Sequence, residues 1–549
     1  MSAPQAAPEP ATGAATQSVR AAKRAPHVDV AVVGAGPAGL AAAAAAADRG
    51  ASVAVIDSAE QPGGQYWRHR SETAGAPERG EYHHGWGEYL ALRARFDAGV
   101  AAGRITYFPA TSVWMARALP GANDTVGSAG ATDGTSEPRA TGAPAAGAVA
   151  AARFALELAP AYGGGASEPR AIRTAALVLA TGGYDRQLPV PGWQLPGVMA
   201  AGGIQAFVKQ NGMLPGSRFV IAGTGPFLLP VAANITQAGG SVAAVLESAS
   251  LAGWLPRAHR AAGVPAKAVE GAGYVATFLR HRISYRVRTV ITEILGTDHV
   301  TGVRTARVRA NGEIVAGSER EITGIDGVGL GWGFTPQLEL PLQLGVATRV
   351  DVDGSLIGVV DETGRSSVDG LYLAGEITGV GGAPLSVLEG EIAGRCAASA
   401  VLGDAATVTP AERRALARNR GFAEAMHLAH PVPTGWAERL TPDTTVCRCE
   451  EVTAGELGHA HEELAAEDLR TEKGLTRAGM GWCQGRVCGF AVSCLSAGAG
   501  GIGAAATPDA TAAEASLAQS AKRPIAQPLP LSALRDLGEL GELGEGAAL

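Results

Sequence analysis

An apolar run, Val28–Val33, leads straight into Gly34-Ala35-Gly36-Pro37-Ala38-Gly39 and then into an alanine-rich stretch ending at Arg49. This is G-x-G-x-x-G between a buried strand and a helix, an order of elements that few folds accept. Gly34 permits a tight turn, Gly36 lets a pyrophosphate approach the backbone, and Gly39 lets the helix lie close on the sheet. Pro37 and Ala38 open the helix, whose free N–H groups and dipole face the phosphates. The next strand, Val53–Asp57, ends in a carboxylate placed for a ribose hydroxyl.

About 190 residues later the pattern returns: strand Arg218–Ala222, Gly223-Thr224-Gly225-Pro226-Phe227-Leu228, a helix to Ala238 and strand Ser241–Glu247. Leu228 stands where the third glycine belongs, which holds the helix off the sheet. Gly223 and Gly225 would form the loop, and Glu247 would take a ribose diol while repelling a 2′-phosphate. The site reads as one for NAD or another adenine nucleotide, or as a fold retained without a ligand.

Strands alternating with helices predict an α/β chain with parallel sheets: two dinucleotide-binding, Rossmann-like domains, one inserted in the other. The expected boundaries are 27–200 with 320–405 for the first domain and 201–319 for the second, then a helical linker 406–440 and a small, mainly helical cysteine module 441–498. Segments 1–26, 121–147 and most of 499–549 are small and polar and predict tails and a flexible insertion. The 549 residues allow three or four domains, and 46% hydrophobic with 18% charged residues excludes global disorder. A net charge of −7 argues against a nucleic-acid partner. No run of ~20 apolar residues predicts a transmembrane helix, and the N-terminus lacks a secretory apolar region, so a cytoplasmic protein is expected.

Six cysteines cannot staple a chain this long, none precedes Cys396, and four fall between Cys447 and Cys488. Cys447-Arg448-Cys449 and Cys483-Gln484-Gly485-Arg486-Val487-Cys488 form C-x-C and C-x4-C pairs. Zinc prefers wider knuckles than C-x-C, whereas four thiolates suit a [2Fe–2S] cluster; zinc and no metal at all are the alternatives. Arg448 and Arg486 lie inside the pairs, where positive charge would offset an anionic cluster. Cys396 and Cys494 read as buried small hydrophobes.

Three further segments select the dinucleotide: Gln61-Pro62-Gly63-Gly64-Gln65, Leu177–Gly182 (LVLATG) and Leu371–Glu376 (LYLAGE), the last followed by Gly379–Pro384. Together they resemble the glutathione-reductase-like flavoproteins. The resemblance implies FAD on the first loop, with contributions from Gly64, Gln65, Thr181, Gly182 and Gly375. It also implies that Glu376, where Asp is commoner, meets the ribityl chain and that a helix N-terminus faces the flavin ring. No redox cysteine pair accompanies these motifs, so the chain is not a disulfide reductase. The C-terminal stretches CRCE and GMGWCQGRVCG resemble bacterioferritin-associated ferredoxin modules.

With GTGPFLLPVAANITQAGGSVAAVLE and DGVGLGWGFTPQLEL, the combination over about Val28–Cys494 is similar to the large α subunits of heteromeric amine and amino-acid dehydrogenases. These include hydroxyproline and proline dehydrogenase α, the opine oxidase A subunit and a hydrogen cyanide synthase subunit. That likeness implies a flavin-containing β subunit that oxidises an amine or imino acid, a small ferredoxin-like subunit, and an electron-passing role for this chain. The alternatives are a stand-alone NADH-dependent reductase feeding a ferredoxin or oxygenase, and a scaffold with vestigial sites. No catalytic acid/base pair emerges; His69, His83, His84 and His281 are candidates by residue type only.

Overall fold

The computed structural model describes residues 25–72, 80–120, 150–161, 170–496 and 510–529. The expected insertion 121–147 and nearly all of the expected N-terminal tail lie outside these residues. The first sheet runs in the order Ile105–Phe108, Val53–Ile56, His27–Val33, Ala171–Leu179, Phe154–Pro160, Thr111–Ala118. Ala171–Leu179 divides its outer edge: residues 171–174 pair with the antiparallel hairpin, and Leu177–Leu179 pair in parallel with Leu371–Leu373. That division brings the ends of four separate segments to one rim: the glycine loop, Asp57, the Ala180–Gly182 turn and the Ala374–Glu376 turn. Ligands bind at such carboxyl-end crevices of open α/β sheets.

The helix Pro37–Asp48 owes its alanines to its surroundings. Every residue from Ala38 to Ala47 is buried, because the sheet lies on one side and the helix Ala383–Leu402 on the other. A Cβ on Gly390 or Gly394 would meet the Ala38 or Ala42 carbonyl oxygen at 2.1 Å, so the two backbones touch there. No larger side chain fits between them.

The second sheet is all parallel, in the order Ser284–Val287, Ser241–Glu247, Arg218–Gly223, Gly327–Gly331, Val198–Ala200. Two of its strands fall outside the expected bounds of 201 and 319: Gly327–Gly331 lies between the glycine-loop strand and Val198–Ala200. The reason is its all-glycine-and-apolar sequence, GVGLG, which is buried on both faces and completes the sheet. Within the expected tail 499–549, Ala510–Ala521 is helical and packs on the cysteine module and the first domain. Leu517 and Ala526 are buried there, an apolar patch too short for composition to reveal.

The linker helix runs over Pro410–Ala429, opened by a Thr409/Glu412 capping box. The cysteine module is a two-strand ribbon, Thr445–Cys447 with Val452–Thr453, and helices Ala454–Glu462, Leu469–Thr476 and Gly489–Ser496. Cys396 is buried in the helix Ala383–Leu402 and Cys494 in Gly489–Ser496. Among the described residues, no helix is long and apolar enough to cross a membrane.

Candidate functional site

Gly34 has φ +100°, and a Cβ there would come within 2.4 Å of the Ala180 oxygen. A Cβ on Gly39 would lie 1.8 Å from the Gly34 oxygen. The helix therefore starts in contact with the strand end, and its first-turn N–H groups point over the rim. The Gly63 N–H donates to the Ala35 carbonyl at 2.8 Å, which hooks the Pro62–Gln65 segment onto the loop. Gly64, at φ +60°, has room for no Cβ, since one would sit 2.7 Å from Gly36 Cα. Gly36 and Gly64 thus form a bare backbone cradle, and Gln65 is exposed beside it. Gly182, at φ +78°, faces open space, whereas the Thr181 hydroxyl is committed to the Gln337 carbonyl at 2.8 Å.

Asp57 is 9% exposed, and its Oδ2 is buried with no hydrogen-bond partner. Burial pushes its carboxyl up to about 6 against the pull of the Ala59, Ala35 and Ser58 N–H groups and the Arg68 charge. An orphaned carboxylate oxygen beside a glycine cradle fits the ribose hydroxyls of an adenine dinucleotide. A pH dependence follows. An acid raised on folding favours the folded chain below its ordinary value of 3.8 and loses that contribution as pH rises through about 6. Hydroxyl donors favour the anion, so dinucleotide binding expels the proton. FAD affinity is expected to fall by up to about tenfold per pH unit below that value, and Asp57→Asn should flatten the profile, as read by equilibrium dialysis of FAD.

On the opposite side of the rim, Glu376 stands at the start of the helix Ala383–Leu402. Its Oε1 accepts from the Gly382 N–H at 3.0 Å and the Ser386 hydroxyl at 3.4 Å, while Oε2 is buried and unpartnered. Burial raises it to about 7, opposed by Gly382 N–H and Arg420 and reinforced by Glu389. One oxygen thus caps the helix and the other is available to a ligand hydroxyl. Gly375, at φ +82°, donates its N–H to Glu389 Oε2 at 3.0 Å. Glu389 also accepts from Thr378 at 2.9 Å and pairs with Arg420 of the linker helix. Sequence reasoning missed this brace, because Arg420 lies in a segment whose only legible feature was helical periodicity.

The second loop assembles as well. Gly223 approaches Gly331 so closely that a Cβ would lie 1.7 Å from its oxygen, and Gly225 has φ +95°. Leu228, in place of the third glycine, is fully buried. Glu247 is fully buried and accepts from the Gly225 N–H at 2.9 Å, the Ala249 N–H at 2.9 Å and the Thr224 hydroxyl at 3.1 Å. Three donors of the chain itself thus already occupy its two oxygens.

The four clustered thiols come together. They contact one another in the order Cys449–Cys483–Cys488–Cys447, and the Gly479 N–H reaches Cys447 Sγ at 3.4 Å. Hydrogen bonds from Cys488 draw Cys447 down to about 6 and Cys483 down to about 5, while Cys488 is pushed up by the same two sulfurs. Among the described residues, no three His, Cys, Asp or Glu side chains converge on one metal-ion position.

The module is fastened to the first domain by the residues between and beside those cysteines. Arg448 lies 5.2 Å over the Trp193 ring, and the Trp193 indole N–H donates to the Thr445 carbonyl at 2.6 Å. Arg186, paired with Asp353 at 2.8 Å, lies 4.2 Å from the Phe490 ring centroid. Arg486 donates to the Tyr184 hydroxyl at 2.7 Å and pairs with Glu339 at 3.0 Å; Arg523, beyond the C-terminal helix, reaches the same Glu339 oxygen at 3.4 Å. Both arginines read as cluster counter-charges thus turn their guanidinium groups to the flavin-type domain. His69 contacts the Trp67 carbonyl and Glu72, His83 the Arg68 carbonyl and His84 the Tyr274 hydroxyl, while His281 is exposed. None of these histidines takes part in the contacts that build the rim.

Residues 28–393 match the family model described as pyridine nucleotide-disulphide oxidoreductase. The opine oxidase A subunit of Rhizobium meliloti (strain 1021) is 32% identical over 527 residues, 93% of this chain and 99% of that one. Hydrogen cyanide synthase subunit HcnB of Pseudomonas protegens is 31% identical over 316 residues, 57% of this chain and 67% of that one. Among solved structures, L-proline dehydrogenase from P. horikoshii shares the fold with a TM-score of 0.55 at 18% identity, covering 92% of this chain and 79% of that one.

Proposed function

The chain belongs to the pyridine nucleotide-disulphide oxidoreductase family and is an FAD-dependent oxidoreductase; on that premise we propose that it is the electron-passing subunit of a multi-subunit amine or amino-acid dehydrogenase. FAD would lie on Gly34, Gly36, Pro37, Ala38 and Gly39, with Asp57, Gly64, Gln65, Thr181, Gly182, Gly375 and Glu376 around it. A [2Fe–2S] cluster would be held by Cys447, Cys449, Cys483 and Cys488. The observation that carries the reading is the fastening of the thiol loop to the domain that bears the first glycine loop. Arg486, inside the second cysteine pair, is bonded to Tyr184, three residues after Thr181. That contact supports a fixed, short separation between the two redox centres. When bound, FAD supplies two-electron chemistry and the cluster one-electron transfer. The protein's own part is positional. Asp57 and Glu376 anchor hydroxyls at two points of the cofactor, the N-terminus of the helix Ala383–Leu402 favours negative charge on it, and the Arg420–Glu389 pair stiffens the turn between them. The two acids lie at opposite ends of the rim, so each fixes a different part of one extended ligand.

The relatives' names, opine oxidase and hydrogen cyanide synthase, support a substrate with an oxidisable C–N bond and a partner subunit that handles it. The decisive experiment is anaerobic purification with and without a co-expressed partner, followed by addition of proline, hydroxyproline, an opine or NADH. Bleaching of the flavin by one amine, only with the partner present, is expected. Iron and acid-labile sulfide are expected in the wild type, and Cys447→Ser and Cys488→Ser should lose both while keeping flavin. Rapid bleaching by NADH without a partner, or zinc in place of iron, would overturn the reading.

A further inference from the structure

The second dinucleotide fold carries an observation that the redox assignment does not use. The end of the linker helix Pro410–Ala429 and the residues after it run across the mouth of the second glycine loop. A Cβ built on Gly225 would lie 3.9 Å from the His430 Cβ, at the position where a pyrophosphate must approach. The Thr224 hydroxyl, besides meeting Glu247, lies 3.3 Å from the Pro431 carbonyl. His430 is itself buried, its side chain 6% exposed, with Nδ1 3.3 Å from Glu247 Oε2. On the other side of the ring, the Trp254 indole N–H donates to His430 Nε2 at 3.0 Å. An indole can only donate, so Nε2 accepts and the proton of the neutral imidazole sits on Nδ1, toward the carboxylate. That N–H is not well aligned with Oε2; the ring covers the oxygen more than it bonds it. Trp254 is held in turn by close packing of its neighbour, since a Cβ on Gly253 would meet the Ala429 oxygen at 2.8 Å.

A carboxylate offers about four lone-pair sites. On Glu247, Thr224 and Ala249 use Oε1, Gly225 uses one site of Oε2, and His430 shields the other. The diol of an adenosine ribose finds no acceptor there, and its pyrophosphate finds an imidazole over the loop. We infer that His430, backed by Trp254, is an internal plug that closes the second dinucleotide site, so that this chain takes neither NAD(H) nor another adenine dinucleotide at that fold. The residues that would hold such a ligand are present, but they are satisfied by the chain itself. His430 is thus a specificity-determining residue: it removes the pyridine nucleotide as electron source without disturbing the first domain.

The test uses the flavin-loaded full chain and two probes, NADH and ADP-ribose, measured by calorimetry. The wild type should show no saturable binding of either below the millimolar range. His430→Ala, verified by unchanged flavin content and thermal midpoint, should bind ADP-ribose roughly tenfold more tightly or better. Trp254→Phe, which keeps a smaller aromatic ring and removes the donor, should show a smaller gain in the same direction. Micromolar binding by the wild type would overturn the plug outright, whether or not the variants fold. A folded His430→Ala chain that gains nothing would overturn the assignment to His430. Neither result bears on flavin reduction by an amine, so the two proposals fail separately.

Discussion

Replacing Glu339 with alanine is expected to free the cysteine module from the flavin-type domain while leaving the flavin in place. Glu339 is 3% exposed and lies between Arg486, Arg523 and the Tyr184 hydroxyl, which approaches it at 3.2 Å. Removing one partner of a buried ion pair leaves the other charge uncompensated and costs about 3–5 kcal/mol. Two arginines are stranded here, one from the cysteine module and one from the C-terminal segment, and this carboxylate is where both reach the flavin-type domain. Arg523 also donates to the Gln484 carbonyl between the cysteines, and Arg486 to the Ala526 carbonyl, so the C-terminal segment is tied in from both sides. The measurement is limited proteolysis: cleavage should appear within 431–444 in Glu339→Ala and stay absent in the wild type, at unchanged flavin absorbance. Glu339→Gln, which keeps an acceptor but loses the charge, should fall between them. Equal protease resistance of all three chains would show that the apolar contacts of Phe490 and Leu517 hold the module without the charges.

Gly39→Val should abolish flavin binding altogether. The first atom beyond Cα would lie 1.8 Å from the Gly34 oxygen, a backbone atom that cannot turn aside. The helix Pro37–Asp48 would have to lift from the strand, yet its other side already touches Ala383–Leu402 through Gly390 and Gly394. Overpacking of a tight core costs about 1–3 kcal/mol where side chains yield, and backbone on both sides leaves less room to yield. The expected result is a colourless chain with a lower thermal midpoint; Gly36→Ala, whose Cβ would have no atom nearer than 3.8 Å, should fold normally and lose affinity only through the ligand's approach. Flavin-to-protein absorbance ratios distinguish the two.

The contrast between these sites shows which features a chain displays in its letters. The glycine loops were legible because a tight turn, a close phosphate and a helix laid on a strand each exclude a Cβ within six consecutive residues, Gly34–Gly39. The acids Asp57 and Glu247 were legible as strand ends, and the cysteines as two short pairs. Their occupancy was not. Asp57 ends with an orphaned oxygen and Glu247 with none to spare, although both stand at the same place in the same motif. The difference is three donors from its own loop and strand end, Thr224, Gly225 and Ala249, and over them lies a histidine 183 residues beyond Glu247, at the end of a helix that periodicity identified only as a linker.

The sequence by itself therefore determined the α/β class, the two glycine loops, the acid at each strand end and the grouping of four thiols, because each is a requirement met within a few residues of chain. Only the tertiary structure decided which buried charges satisfy one another. Arg523 and Glu339 are 184 residues apart, and Trp254 and His430 are 176. Burial obliges every such group to find a partner, but many partners would satisfy the rule equally, and the choice is made by where the chain returns.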